Sequence, residues 1–436
     1  MLADIGYPKA EILSEAKVNK RSNWVKVKFE IDPGLKYTFG EIEYIGLSRI
    51  DQSLLEREVR YDQGDVFSLS KISESQSRIF KLGFFRSVII NTQFDDELLN
   101  VKTIYNVVER KLGTVRVGAG FGTEDKLRGQ ILLNKRNFFG GGRNLEISGK
   151  FSFITQKIQT KIIQPYIFGE GSESSVLFNI ERDDFPSFRG NSLNSNISFS
   201  KEIAKYVSVF ASGGLNFSKI NSQAKRTPIE ESQDNVFLTL LDFGIKYNNT
   251  DDFIDPTSGI FSSLLFESSS KSLGSDVNYF KSLFEFRAYK KLTWFILAKR
   301  FQLGSIQTFG TSDKFDVPIF KRFFAGGSTS MRGFSFQKLG PLDDSEDPLG
   351  GNSVLVGNLE ARFPVYKDIG GVVFFDYGNV YINSFDYDLT DLRYAVGTGF
   401  RYNTIVGPIR ADFGYTLNPN KELRRFQIFI SIGQAF

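Results

Sequence analysis

The sequence predicts a mainly β protein: a transmembrane antiparallel β-barrel of about 16 strands, preceded by a small α+β domain and by the remnant of another. Three observations carry this prediction. From residue 112 onward, apolar residues recur at every second position, which is the period of a β-strand. Only 6 of the 40 glycines lie in residues 1–111, so the composition changes near that point. The chain is also rich in Phe (45) and Tyr (17), which favour pleated strands.

Residue types that are missing from the chain narrow its function. The 436 residues include no His and no Cys, which excludes disulfides, zinc clusters built on these residues, and nucleophiles activated by an imidazole. We therefore predict no enzymatic activity, no metal and no cofactor. The net charge of +4 is too small to indicate a nucleic-acid partner. No run of apolar residues reaches the roughly 18 to 20 that a membrane helix needs.

Residues 36–111 are predicted to form the small α+β domain. Ile42 and Tyr44 alternate as in a strand, and two apolar stripes at helical spacing follow them. The stripes are Leu54, Leu55 and Val59, and Ile72, Ile79 and Leu82. Two further alternating runs, joined by a turn near residues 95–97, complete the order β-α-α-β-β.

A weak internal repeat suggests how residues 1–35 are organised. The pairs Gly6-Tyr7 and Gly83-Phe84 are 77 positions apart, about one domain length, and two predicted strands follow each pair. We interpret residues 1–35 as the C-terminal remnant of a truncated domain of the same kind. A chance coincidence of the two dipeptides is the alternative.

Residues 112–436 are predicted to form the barrel. These 325 residues accommodate about 16 strands at roughly 20 residues per strand and connection. An even number lets the sheet close, and closure matters because an unpaired amide in hydrocarbon costs several kcal/mol. Val176, Phe178 and Ile180 alternate with Ser175 and Asn179, for example. A soluble sandwich would alternate too, but aromatic crowding near strand ends is more typical of membrane girdles.

Three segments of the predicted barrel carry a distinctive pattern. Residues 323–334 read FFAGGSTSMRGF, a glycine-rich stretch followed by Arg-Gly. Residues 358–364 read NLEARFP and include Glu360, and residues 374–380 read FFDYGNV and include Asp376. With these segments in this order, the sequence resembles the BamA/TamA family of outer-membrane assembly factors, in which periplasmic POTRA domains precede a 16-stranded barrel. The resemblance covers essentially the whole chain, and it implies that residues 36–111 are a POTRA domain.

The resemblance implies that the glycine-rich segment is a loop that folds back into the barrel lumen. In the family, the arginine of this loop meets acidic residues of the inner wall, which here would be Glu360 and Asp376. A guanidinium suits this role because it stays charged and grips carboxylates through a rigid fork of donors. The alternative for an isolated Arg-Gly pair is a solvated turn. Met331 stands where Val or Ile is commoner in the family. The implied loop motif consists of Gly326, Gly327, Met331, Arg332, Gly333 and Phe334.

In the family, a seam between the first and last barrel strands is the edge that can open. Here those strands are approximately residues 115–121 and 426–432, and the last one alternates toward a terminal aromatic residue. Glycines can weaken or kink a strand, so we predict a lateral seam that includes Gly118, Gly120, Gly433 and Phe436. The alternative is that the glycines only relieve crowding inside the barrel.

The function that the resemblance implies is that of a non-enzymatic insertase in the bacterial outer membrane, with the POTRA domain in the periplasm. Such a protein assists the insertion and assembly of β-barrel or autotransporter-like proteins. Its partners would be unfolded outer-membrane protein clients and the lipid bilayer, with periplasmic or inner-membrane accessory proteins as further candidates. A two-partner secretion-type translocation pore shares the loop motif and the domain order, and it stays open as the alternative.

Overall fold

The computed structural model describes residues 1–19, 24–224, 234–402, 404, 409–419 and 425–432. The chain divides into two compact units. One comprises Met1–Thr114 with Asn134–Asn144, and the other comprises Val115–Leu133 with Leu145–Phe436. None of the helices in the described residues is long and apolar enough to cross a bilayer.

The N-terminal segment forms a short helical turn and a hairpin. A 3₁₀ helix at Leu2–Ile5 precedes strands β1 (Glu11–Asn19) and β2 (Trp24–Asp32), which pair antiparallel. Residues that face each other across such a pair lie on the same side of the ribbon, as Ile12 does with Ile31. One side therefore collects apolar side chains, and they are exposed: Ile12, Val18, Val25, Val27, Phe29 and Ile31.

A small α+β domain follows, with the predicted order of elements. Strand β3 (Thr38–Ile45) is followed by helices α1 (Gln52–Glu56) and α2 (Leu69–Lys81). Strands β4 (Phe85–Asp95) and β5 (Asn100–Glu109) complete the domain. The sheet order is β3-β5-β4, in which β5 pairs parallel with β3 and antiparallel with β4. The prediction of a β-α-α-β-β domain is confirmed.

The core of this domain lies between the helices and one face of the sheet. Ser68 caps helix α2 by accepting a hydrogen bond from the Lys71 amide at 3.3 Å. Ile72 and Ile79 lie on the buried side of this helix, as their spacing predicts. The fully buried Tyr105 of β5 exchanges a 2.7 Å hydrogen bond with Tyr61, which satisfies both hydroxyls in an apolar setting.

Glu109 fixes the loop that leads into helix α1. Its carboxylate accepts hydrogen bonds from the amides of Ser48 (2.9 Å), Arg49 (2.8 Å) and Ile50 (3.0 Å), and from the Arg49 guanidinium (3.0 Å). Burial by itself would raise the pKa of this carboxyl, but the hydrogen bonds outweigh burial and lower the pKa to about 2. The ionised form is therefore the one that the fold stabilises.

We predict that the loop at residues 48–50 loosens in acid. A group whose pKa is lowered by folding stabilises the fold fully above its unfolded value of 4.5, and this contribution is lost as the pH falls toward about 2. Amide hydrogen exchange at Ile50, corrected for intrinsic pH dependence, should lose protection over that range. Glu109→Gln should already show weak protection at neutral pH. Equal protection of Ile50 in the two proteins at neutral pH would contradict the assignment.

The second unit is built on a sheet of 16 antiparallel strands in chain order, from β6 to β21, that curls into a nearly closed barrel. The predicted fold class is thereby confirmed. The barrel strands are β6 Gly113–Gly122, β7 Lys126–Arg136, β8 Asn144–Phe151, β9 Thr155–Pro165, β10 Ser172–Asp184, β11 Phe188–Ala204, β12 Val207–Gln223, β13 Asn235–Asn248, β14 Gly259–Ser269, β15 Tyr279–Lys291, β16 Ile296–Thr308, β17 Ser353–Tyr366, β18 Ile369–Tyr381, β19 Arg393–Tyr402, β20 Ile409–Thr416 and β21 Phe426–Ile432.

The two faces of the barrel wall differ in polarity. In β10, Phe178 and Ile180 are exposed on the outer face, whereas Asn179 between them is buried toward the lumen. Large exposed apolar side chains recur on the outer face of other strands, including Phe243 and Phe266. An apolar surface of this extent suits hydrocarbon rather than water.

The domain limits at residues 35 and 111 stay a prediction. The two compact units do not follow these limits, because Asn134–Asn144 belongs to the N-terminal unit. This segment is the end of β7 with the turn that follows it. The glycine-rich part of this turn, Gly140 to Gly142, has positive φ at each position, which glycine adopts without strain.

Candidate functional site

A long loop, residues 309–352 between β16 and β17, supplies the candidate site. Its apolar side chains Phe323, Met331, Phe334 and Leu339 form one buried cluster with side chains of the barrel wall. The wall side chains include Leu238, Tyr279, Ile306, Val354, Val356 and Val380. The largest hydrophobic core of the described barrel is therefore built between the loop and the wall.

A tight turn places the arginine of this loop. Gly326 and Gly327 have φ of +104° and +100°, a region that favours glycine. The turn is closed by hydrogen bonds from the Gly326 amide to Ser330 Oγ (2.8 Å) and from the Gly327 amide to the Phe334 carbonyl (2.9 Å). The adjacent Met331 and Phe334 anchor it in the apolar cluster, with exposures of 0% and 2%.

Arg332 lies between two carboxylates of the wall and is 1% exposed. Its Nε and Nη2 donate to the two oxygens of Asp376 at 2.8 and 2.7 Å, and its Nη1 donates to Glu360. Its backbone amide also donates to Asp376, at 3.1 Å. The structure thus brings together the three charged residues that the sequence analysis singled out, although their role stays a prediction.

Three further wall residues contact Arg332 or its two carboxylates. The Phe374 ring lies beneath the guanidinium, with its centroid 3.5 Å from Cζ, in a cation–π contact. Asn358 donates to Asp376 at 2.8 Å and to the Ser330 carbonyl at 2.5 Å. Arg362 donates to the second oxygen of Glu360 at 2.8 Å. These two arginines and two acids therefore form a buried, hydrogen-bonded network.

The buried network explains why the loop needs arginine at this position. Charges removed from water are stable only when each is paired and its donors are satisfied. The planar fork of Arg332 bonds two carboxylates on neighbouring strands at once, whereas a lysine ammonium would act as a point charge. The arrangement can hold the loop in place, and it offers no free acid or base for chemistry at these residues.

Glycines on both sides allow the loop to approach the wall closely. A Cβ on Gly414 of β20 would overlap the Arg332 carbonyl, and one on Gly333 would overlap Thr416. The Gly333 carbonyl instead accepts a 2.6 Å hydrogen bond from the Thr416 hydroxyl. Strand β20 is thereby a second wall segment that the arginine motif touches.

The first and last barrel strands, β6 and β21, lie at the two ends of the sheet order. Across the described residues of this junction, one backbone hydrogen bond joins the two ends, from the Thr123 amide to the Ile430 carbonyl at 3.1 Å. The Ile430 amide approaches the Thr123 hydroxyl at 3.4 Å. Strands β10 and β11, by contrast, are paired along most of their length.

Of the predicted seam residues, the structure describes Gly118 and Gly120, whereas Gly433 and Phe436 lie outside the described residues. A Cβ on Gly118 would have no atom within 4 Å, so crowding does not require glycine there. A Cβ on Gly120 would lie 2.8 Å from Nε of the flexible Arg128 side chain. The weakening role of these glycines stays a prediction.

The sequence analysis assigned no role to several residues of the site. Asn358 could have been found from parity, because it shares the inward face of β17 with Glu360. Phe374 shares the inward face of β18 with Asp376 in the same way. Thr416 and Gly414 carry no local signal, since their partners are more than 80 positions away in the chain.

Comparisons with known proteins now assign the family. The Omp85 superfamily domain matches residues 137–436. The chain belongs to the Omp85 superfamily. A second family description, the surface antigen variable number repeat of POTRA domains, matches residues 37–110. The resemblance to the BamA/TamA family is thereby confirmed.

Relatives of this Omp85 protein carry informative names. An outer membrane protein assembly factor BamA from Nitratidesulfovibrio vulgaris is 27% identical over 100% of this chain and 56% of its own length. BamA from Neisseria meningitidis is 22% identical over 100% of this chain and 61% of its own. A sorting and assembly machinery component 50 homolog from Xenopus laevis is 24% identical over 94% of this chain and 87% of its own. The chain spans a little more than half the length of the first of these relatives.

Solved structures share the fold. BamA from Haemophilus ducreyi lacking POTRA domains 1-3 has a TM-score of 0.84 at 21% identity, covering 99% of this chain and 91% of its own. CdiB from Acinetobacter baumannii has a TM-score of 0.58 at 14% identity, covering 99% and 78%. The barrel of this Omp85 protein is an outer-membrane barrel, and its POTRA domain is periplasmic.

We predict that Asp376→Asn releases the loop. The substitution leaves Arg332 buried with one carboxylate fewer, a loss of about 3 to 5 kcal/mol for a broken buried pair. The temperature at which the barrel loses its folded mobility in gel electrophoresis should fall, and the loop should become sensitive to protease. The matched control is Asp184→Asn, which removes an exposed ion pair to Arg189 and should change little. If both variants behave alike, Arg332 does not depend on Asp376.

Proposed function

We propose that this Omp85 protein is an outer-membrane insertase, which assists the insertion and assembly of β-barrel or autotransporter-like proteins. Its clients are unfolded outer-membrane proteins. The names of the BamA relatives support this function, and so does the seam between β6 and β21, which is the observation that carries it. The lipid bilayer is the second partner.

The seam supports the proposal because of what an incoming strand needs. A strand that enters hydrocarbon must pair its backbone amides, since each unpaired group costs several kcal/mol. Across the described residues, this edge is held by one backbone hydrogen bond, between Thr123 and Ile430, and by the contact of the Ile430 amide with the Thr123 hydroxyl, so its opening breaks few hydrogen bonds. Once open, it offers backbone donors and acceptors for β-augmentation.

The POTRA domain is the second contact surface in the proposal. Its sheet has the order β3-β5-β4, so β3 and β4 are its edges and β5 is enclosed. An edge strand can accept an extended client segment or a segment of an accessory protein. Accessory partners in the periplasm or the inner membrane belong to this proposal.

The activity that we propose is not enzymatic. The buried carboxylates Glu360 and Asp376 are both bonded to arginine, so neither is available as a general acid or base. Insertion by strand exchange breaks no covalent bond, and it requires a positioned edge rather than a reacting group.

A two-partner secretion-type translocation pore is the alternative. The two CdiB structures share the fold of this chain. Their TM-scores of 0.58 and 0.59 are below the 0.84 of the BamA structure. In a pore of this design the lumen would have to open. Here the loop packs Phe323, Met331 and Phe334 against the wall inside the barrel, so a pore would require this loop to move.

Reconstitution into liposomes tests the function. Added unfolded β-barrel clients should fold faster in liposomes that contain the protein than in empty ones. We predict that Arg332→Ala lowers this acceleration strongly while most barrel structure is retained, because the loop loses its contacts with Asp376 and Glu360. Circular dichroism and electrophoretic mobility measure the retained fold. Arg332→Lys should rescue little, since an ammonium lacks the fork.

Two outcomes would count against this proposal. Steady ion conductance without faster client folding would support the pore. Normal client folding by a correctly folded Arg332→Ala protein would remove the loop from the function. The exposed Arg189→Ala serves as the control for loss of an arginine, and it should leave client folding unchanged.

A further inference from the structure

At the tip of the lumen loop, residues 328–333, nearly every residue is hydrogen-bonded to a different part of the barrel. Ser328 and Gly333, at the two ends of this tip, are bonded on opposite sides of the seam. The contacts run from Ser328 to Glu124, from Thr329 to Arg300, from Ser330 to Asn358, from Arg332 to Asp376 and Glu360, and from Gly333 to Thr416. Only the arginine contacts follow from the motif.

Glu124 grips the loop with both carboxylate oxygens. It accepts the Ser328 amide at 2.7 Å on one oxygen and the Ser328 hydroxyl at 2.8 Å on the other. Hydrogen bonds to a carboxylate are roughly twice as strong as those between neutral groups. A Cβ on Gly327 would overlap the same carboxylate, so glycine at this position is what lets Glu124 approach.

The position of Glu124 links this contact to the seam. Glu124 lies in the turn between β6 and β7, directly after Thr123. Thr123 is the residue whose amide crosses to Ile430 of β21. One short turn is therefore bonded to the loop by its second residue and to the last strand by its first.

The loop reaches the other side of the seam through β20. Thr416 of β20 donates to the Gly333 carbonyl at 2.6 Å, and β20 pairs with β21 from Ile409 opposite Ile432 to Tyr415 opposite Phe426. The loop tip thus spans the junction inside the lumen, with Glu124 on the first-strand side and Thr416 on the last-strand side.

We propose that Glu124 is a positioning residue. Its two hydrogen bonds to Ser328, here called the clasp, connect the first barrel hairpin, β6 and β7, to the lumen loop and so keep the seam closed. Across the described residues, the seam has one backbone hydrogen bond and the 3.4 Å contact between the Ile430 amide and the Thr123 hydroxyl, both neutral, whereas Glu124 supplies two charge-assisted hydrogen bonds. Loss of the clasp lets the first hairpin move away from β21 while Arg332 stays seated. The use of an opened seam rests on the proposed insertase function, but the clasp itself does not.

Amide hydrogen exchange at Thr123, in the full chain in lipid nanodiscs without any client, tests the clasp. Glu124→Ala should accelerate this exchange by more than about tenfold, because it removes two charge-assisted hydrogen bonds and the loss of one alone corresponds to about tenfold. The matched control is Asp125→Asn, which removes a carboxylate from the same turn and its 3.2 Å contact with Arg128 but leaves Ser328 bonded. The control should leave exchange at Thr123 unchanged.

Two more variants separate the clasp from a general loss of structure. Ser328→Ala removes one of the two bonds and should give an intermediate acceleration. Combined with Glu124→Ala it should add nothing, because both substitutions remove the same contact. Glu124→Gln keeps the side-chain volume and one oxygen acceptor, so it should also be intermediate, and it covers the case in which Glu124→Ala does not fold.

Unchanged exchange at Thr123 in Glu124→Gln and Ser328→Ala, or additive effects of Glu124→Ala and Ser328→Ala, would overturn the clasp. Client folding in liposomes is then measured separately on the same variants. Faster exchange at Thr123 in the Glu124 variants, together with a wild-type protein that does not accelerate any client, would support the clasp and contradict the insertase. The two failures can therefore be told apart.

Discussion

The pairing of one buried guanidinium with two carboxylates of the wall links the lumen loop to the barrel. An unpaired charge away from water costs several kcal/mol or more, so Arg332 can lie in the lumen only while Asp376 and Glu360 face it. The same requirement acts in the other direction, because Asp376 would lose its guanidinium without the loop, whereas Glu360 would keep only Arg362. Loop and wall therefore depend on each other, and the apolar cluster around Met331 and Phe334 forms where this pairing places it.

The need for such a loop follows from the size of the barrel. A ring of 16 strands encloses more space than the side chains of its own wall can fill. Apolar wall residues such as Val354 and Val356 would face water in an empty lumen, but the loop covers them. The loop is thus part of the barrel core.

The seam is sparsely paired. Between β6 and β21 the described residues share one backbone hydrogen bond, whereas β10 with β11 and β15 with β16 share long ladders. Closure at this place rests on the loop tip, through Glu124 on one side and Thr416 on the other. An edge that shares few hydrogen bonds with its neighbour suits the proposed insertase, which would offer its backbone to another chain.

The sequence by itself determined the barrel, the POTRA domain and the composition of the arginine site. Period two, glycine content and length are local or additive properties of the sequence. Arg332, Glu360 and Asp376 were selected because their segments resemble those of the BamA/TamA family, which also needed no knowledge of contacts. Parity along β17 and β18 could also have added Asn358 and Phe374. Only the tertiary structure decided that Glu124 meets Ser328, more than 200 positions away, and that Gly414 and Thr416 receive the loop. These contacts depend on how the strands are arranged around the lumen. Neither the spacing nor the composition of the sequence shows which turn of the barrel lies against which part of the loop.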